Sequence, residues 1–196
     1  AYRGAKVHSI TLSKEQKALA EARIAKAGLS NLITVELRDY RDLEGQYDAV
    51  VSVEMIEAVG EKYWPTYFEA ISKHLKPGGR FGLQAITMPH DRLLASKHAY
   101  TWIHKYIFPG GIIPSREVID QYTKSELKLV DSLSIRMGYA ETLRLWREKF
   151  MENKVNVLAL GFDDEFLKMW QYYLAYSEAG FRAEHLDVWQ LGFIKK

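Results

Sequence analysis

Apolar positions along this chain follow two rhythms. Short aliphatic runs alternate with longer stretches in which apolar residues return every three or four positions. "AKVHSITL" predicts a strand, and "SKEQKALAEARIAKAGL" predicts the helix after it, with Ser13 as N-cap, Gln16 in the capping-box position and Gly28 as terminator. "LITVEL" and "QYDAVVSV" predict two more strands. The second is nearly continuous in apolar residues, as in a parallel strand buried on both faces. "YWPTYFEAISKHL" predicts a helix with Pro65 in its first turn, stopped by "KPGG" before a strand over "RFGLQAIT". This alternation predicts a right-handed, doubly wound α/β sheet.

The rhythm changes near residue 88. Residues 88–125 are aromatic, helical in part and broken by a Gly/Pro turn, which predicts a helical insertion over the mouth of the sheet within one domain spanning 1–196. "LKLVDSLSI" resumes as a strand, "YAETLRLWREKFMENK" and "DDEFLKMWQYYLAYSEAGFRAE" predict helices, and "LDVWQLGFIKK" closes as a strand. Phe166, Met169, Trp170, Tyr173, Leu174, Ser177 and Phe181 share one helical face, which reads as core rather than as a ligand site.

Composition narrows the classes. An apolar share of 47% in 196 residues supports a sizeable core. The 27 basic and 25 acidic side chains nearly cancel at +2, and no basic stripe with interleaved aromatics stands out, so nucleic acid is a weak expectation. There is no cysteine, which excludes disulfides and thiolate metal sites and fits a reducing compartment. No apolar run reaches the length of a membrane span, and no export signal is visible, so the expected location is cytoplasmic.

Four groups fall where ligands bind in such sheets, outside the carboxyl ends of the strands. "ITLSKEQ" places Thr11, Ser13 and Gln16 at a strand-to-helix turn, where they serve a capped helix or a polar ligand. Asp39 and Tyr40 follow "ITVELR"; an acid there suits either a turn or an adenine or ribose. Glu54 and Glu57, in "SVEMIEAVGEKYW", stand where an apolar strand runs out, and serve a helix N-terminus or a reaction. Gln84 and Ile86 end "FGLQAIT", and Tyr139 begins a later helix, where a lone tyrosine is usually packing.

Taken together, "ITLSKEQ", "YDAVVSVEMIEAVGEKYWPTYFEAISKHLKPGGRFGLQAIT", "YIFPGGIIPS", "YAETLRLWREKF" and "MWQYYLAYSEAGFRAEHLDVWQ" resemble the cyclopropane-fatty-acyl-phospholipid synthases, including the mycolic acid cyclopropane synthases, of the S-adenosylmethionine-dependent methyltransferases. The resemblance runs through the chain in order and implies a Rossmann-like methyltransferase sheet. It places Thr11, Leu12, Ser13 and Gln16 along the S-adenosylmethionine site, Asp39 and Tyr40 beside the adenine, and Val53 and Glu54 after the strand that passes under the sulfonium, with Glu54 facing the cofactor or capping the helix. It further implies that an acyl olefin takes the methyl group and that a bicarbonate, held by Glu57, Gln84, the Ile86 backbone and Tyr139, removes a proton as the ring closes. A carboxylate beside bicarbonate needs a shared proton or a raised pKa. Tyr106, Phe108, Trp146 and Tyr173 are candidate acyl-channel aromatics, each worth about 1 to 2 kcal/mol to a desolvated cation; plain core is an equal reading for any one of them.

Three departures from the pattern matter. Gln84 stands where many members have histidine, and Ala58 follows Glu57 where many have another. The glycine-rich loop and its strand expected before "AKVHSITL" do not occur, which would leave two strand edges unpartnered and predicts weak binding of S-adenosylmethionine by this stretch alone. The expected activity is transfer of a methylene group to an unsaturated phospholipid acyl chain, at the inner face of a membrane touched peripherally through "HAYTWIHKYIF", with a homodimer as an allowed assembly. The alternatives are methylation of another lipid or small molecule, and a truncated lipid-binding module without catalysis.

Overall fold

The computed structural model describes residues 1–196, the whole chain. It divides into two compact units, Ala1–Gln46 and Tyr47–Lys196.

The first unit is a β-α-β element. Strands β1 (Val7–Thr11) and β2 (Ile33–Leu37) pair in parallel, Val7 opposite Ile33 and Thr11 opposite Leu37, with helix α1 (Lys14–Lys26) between them. Ser13 caps α1 as the sequence predicts, its hydroxyl accepting from the Gln16 amide at 3.1 Å. The other half of the capping box is replaced. Gln16 Oε1 takes the Thr11 hydroxyl at 2.8 Å, and Thr11 Oγ1 accepts the Ser13 N–H at 3.1 Å. Gly28, at φ +68°, ends the helix in the left-handed conformation that a residue without Cβ adopts freely.

The second unit holds a four-stranded sheet in the order β3-β4-β6-β5, built from β3 (Tyr47–Val53), β4 (Leu75–Thr87), β5 (Leu127–Ser134) and β6 (Asp187–Lys195). Only β3 and β4 are parallel; β6 runs antiparallel to both its neighbours. Alternation along β4 sorts its side chains between two faces. Phe81, Leu83 and Ala85 are buried on one face. So is the face of helix α3 (Trp64–His74) that carries Trp64, Tyr67, Phe68 and Ile71. Full burial of side chains of this size is worth about 1.5 to 3 kcal/mol each. On the other face Ile86 packs into a cluster made by Ala140 and Leu143 of α7 (Arg136–Glu152), Leu174 and Phe181 of α9 (Asp164–Arg182), and Val188 of β6. The expected core face of the long helix is therefore real, with Trp170 and Tyr173 also packed against this cluster.

Two expectations change. β3 is not buried on both faces: Val51 and Val53 are 74% and 60% exposed, and Ser52 is its one buried residue. β3 is an edge strand of its sheet, paired on one side only. In addition, "KPGG" does not precede the next strand but forms a bulge within it: pairing with β3 jumps from Tyr47–Leu75 to Ala49–Arg80. The 88–125 stretch contains α4 (His90–Ser96), α5 (Trp102–Tyr106) and α6 (Arg116–Thr123). Short helices α2 (Ile56–Val59) and α8 (Lys154–Ala159) lie between the longer elements.

Candidate active site

The end of β3 turns sharply. Glu54 has φ +50°, a left-handed conformation that costs a residue with a Cβ energy and is held by its surroundings: its N–H donates to the Gln84 carbonyl at 2.8 Å. That turn sends the Glu54 carboxylate to two donors. Tyr139 Oη donates to both of its oxygens, at 2.8 and 2.9 Å, and Gln84 Nε2 donates to Oε1 at 2.8 Å. Tyr139 is in turn seated against Phe181, with ring centroids 4.9 Å apart.

One helical turn on, Glu57 Oε1 accepts the Ile86 backbone N–H at 2.6 Å, while Oε2 is buried with no partner. The Glu57 carbonyl accepts the Ile112 N–H at 2.9 Å, so the "FPGGI" segment is pinned to the backbone that carries this acid. His104 bonds the Gly111 carbonyl through Nε2 at 2.9 Å and closes the same segment.

The electrostatics follow from the burial. Desolvation pushes the Glu57 carboxyl up to about 7; bonds from backbone N–H groups, including that of Ile86, oppose the shift, and the nearby Glu54 charge adds to it. Burial also raises the Tyr139 phenol, with the bond to Glu54 and its charge acting in the same direction, so Tyr139 stays a donor at neutral pH. Tyr173 is raised by burial and by the Glu54 charge. The result is two neighbouring carboxyls, one of them readily neutral, flanked by donors.

All four residues expected at the proton-removal position, Glu57, Gln84, Ile86 and Tyr139, thus lie in the second unit. The structure adds Glu54 to them, since Gln84 and Tyr139 both bond its carboxylate. The expected cofactor residues divide between the units. In the first, Thr11, Ser13 and Gln16 bond one another, Leu12 is 74% exposed, and Asp39 bonds Arg41 through both carboxylate oxygens. That ion pair holds the Asp39 carboxyl below its ordinary value. Tyr40 opens a short 3-10 turn beside it. In the second unit, Val53 is exposed beside Glu54. Of the candidate channel aromatics, Phe108 and Tyr173 meet at 6.0 Å, Tyr106 packs on Trp102, and Trp146 is exposed on α7 outside these ring pairs. Sequence reasoning missed Gln190, whose Nε2 donates to Gln84 Oε1 at 2.9 Å.

Comparison with known proteins decides the family. The profile of mycolic acid cyclopropane synthetase matches residues 1–191. The chain belongs to this family. Its members are S-adenosylmethionine-dependent lipid methyltransferases that include the cyclopropane synthases. Among relatives, the tuberculostearic acid methyltransferase UfaA1 of Mycobacterium tuberculosis is 54% identical over all of this chain and 46% of its own length. The cyclopropane-fatty-acyl-phospholipid synthase of Escherichia coli K12 is 36% identical over 95% of this chain and 47% of its own. The chain therefore spans about half the length of these curated relatives. In three dimensions, the cyclopropane synthase MmaA2 of Mycobacterium tuberculosis superposes with a TM-score of 0.86 at 27% identity, over 97% of this chain and 70% of that one. Mycolic acid cyclopropane synthase CmaA1, crystallised with SAH and CTAB, gives 0.87 at 24% identity, over the same shares, and supports the Rossmann-like methyltransferase fold.

Gln84 and Tyr139, expected to hold a bicarbonate, are bonded instead to the Glu54 carboxylate, and the Ile86 N–H to Glu57, so the donors present do not fit that ion; Glu57 Oε2 is left without a partner. Asp39, although paired with Arg41, keeps a lone pair on Oδ2 for a further donor.

Proposed function

We propose that the chain acts in an S-adenosylmethionine-dependent transferase that adds a methylene group to the double bond of an unsaturated fatty acyl chain of phospholipid, closing a cyclopropane. The observation that carries this reading is the Glu54–Glu57 pair with its converging donors. An acyl olefin carries no ionisable group, so a half-buried pair of acids, one of them readily neutral, points to a proton that must leave after the carbon–carbon bond forms.

S-adenosylmethionine, when bound, would supply the methyl group; in the second unit Val53 and Glu54 are the residues that would meet it, and in the first Thr11, Leu12, Ser13, Gln16, Asp39 and Tyr40 are its expected contacts. Glu57, Gln84, Tyr139 and the Ile86 backbone, the expected ligands of a bicarbonate base, are bonded among themselves and to Glu54, so a carboxyl of this pair stands where the base is needed. Below about pH 7 Glu57 is neutral. Tyr139 keeps its hydroxyl proton and steadies Glu54. Phe108 and Tyr173 present ring faces and edges to an acyl chain and keep water away.

A methyl-branched product is the second reading. It is favoured by the 54% identity to a tuberculostearic acid methyltransferase and by glutamine at position 84. The lipid reaches the site from a membrane surface touched peripherally. Exposed Tyr100, Tyr106, Tyr172 and Tyr176, with Trp102 packed against Tyr106 and Tyr172, have the amphipathic character of an interfacial contact. No helix is long and apolar enough to cross a membrane.

Intact-lipid mass spectrometry tests the proposal. Unsaturated phospholipid vesicles, S-adenosylmethionine and the complete polypeptide carrying this chain should yield lipid heavier by one CH₂. A product that resists mild hydrogenation is a ring, and one that takes up hydrogen is a branched olefin. In a Glu57→Ala variant the yield should fall at least about 100-fold, the scale of a lost acid–base group. No mass gain with vesicle binding intact would leave the lipid-binding module.

A further inference from the structure

The Gln84 side-chain amide is held at both ends. Its Nε2 donates to Glu54 Oε1 at 2.8 Å, and its Oε1 accepts from Gln190 Nε2 at 2.9 Å. Strand register makes this possible. Gln84 lies directly opposite Gln190 in the antiparallel β4–β6 pair, so the two side chains leave the same face of the sheet. On the other side, Gln84 is registered with Val53, the residue before Glu54.

The direction of this relay follows from chemistry. Both Glu54 oxygens accept from Tyr139 and one of them also from the Gln84 NH₂ group, and the Gln84 carbonyl oxygen is taken by the Gln190 donor, so the two ends of the amide fix its direction together. An amide released from Gln190 can turn through half a rotation. It then faces the Glu54–Glu57 pair with an oxygen, and a donor to the site becomes an acceptor that repels it.

We infer that Gln190 is a positioning residue: it keeps the N–H edge of Gln84 towards the two acids. The inference rests on the reaction proposed above. Gln190 is itself exposed, so water competes for its bond and the effect is moderate.

Three substitutions separate direction from charge and from packing. Gln190→Lys keeps a donor opposite Gln84 Oε1, Gln190→Glu puts an acceptor there, and Gln190→Met removes both at similar length and without charge. In the complete polypeptide, turnover at saturating lipid should stay within about threefold of native for the lysine variant. It should fall about fivefold for methionine and about tenfold or more for glutamate, with lipid KM and melting temperature unchanged. Nuclear Overhauser contacts from the Gln84 Nε2 protons, read without substrate, should reach Glu54 in the native and lysine proteins and residue 190 in the glutamate variant. Native-like turnover in the methionine variant, or an unturned amide in the glutamate variant, overturns the inference. A native protein that transfers nothing to an olefinic lipid removes the proposed reaction, while the amide contacts still decide the direction of Gln84.

Discussion

Glu57 is a carboxyl that burial makes readily neutral. Its carboxyl binds a proton up to about pH 7 in the folded chain, against about 4.5 ordinarily. Between those values the native state holds a proton that the unfolded state has lost, so stability is greatest at the acid end of this window and falls as pH rises through it. The loss is about 3 kcal/mol at most, and stability levels off above pH 7. Urea denaturation at pH 5 and pH 8 should show this slope in the native chain and a flatter one in Glu57→Gln, which should be the more stable of the two at pH 8. An unchanged slope in the variant would place the proton elsewhere. The two acids were legible in the sequence because carboxylates at the end of an apolar run need a partner or a task. Gln84, Ile86 and Tyr139 became legible through the family resemblance. Gln190 was not legible: its partner is 106 residues away, and an alternating strand does not announce its register.

At the scale of elements, local chemistry was read most faithfully. Ser13, Gly28 and Pro65 act at their helix ends over a few residues of chain. The turn after α3 was read as a stop and is instead a bulge inside β4 that resets pairing with β3. Gly78 takes φ +72° there, and a Cβ on Gly79 would stand 2.8 Å from the Lys76 carbonyl oxygen and 3.2 Å from that of Asp48. Both are backbone atoms, which cannot swing aside. Gly79→Ala should therefore cost about 1 to 3 kcal/mol, as overpacking does. The cost should appear as a lower denaturation midpoint, whereas Ala at the open Gly138 should leave it nearly unchanged. Helix α8 escaped the reading because "KVNVLA" is too short to show a period.

At the scale of the whole molecule, apolar burial is uneven. In the first unit Val35 is the one buried hydrophobic residue, α1 buries none, and β1 and β2 form a two-stranded sheet. Such a sheet is marginal alone. The second unit carries the rest of the buried core. Amide hydrogen exchange should therefore be fastest, among strands, in β1 and β2, and slowest in β4 and β6; equal protection would refute this ranking. The sequence by itself determined the α/β class, most element positions, the helix caps and the pair of strand-end acids, because each is written in spacing over a turn or two of chain. Tertiary structure alone decided that β6 runs antiparallel between β4 and β5, that β3 is an edge, and that Tyr139, Gln84 and Gln190 converge on Glu54. Those facts depend on strand direction and register between distant segments, which are set by how whole faces bury against one another rather than by any local pattern.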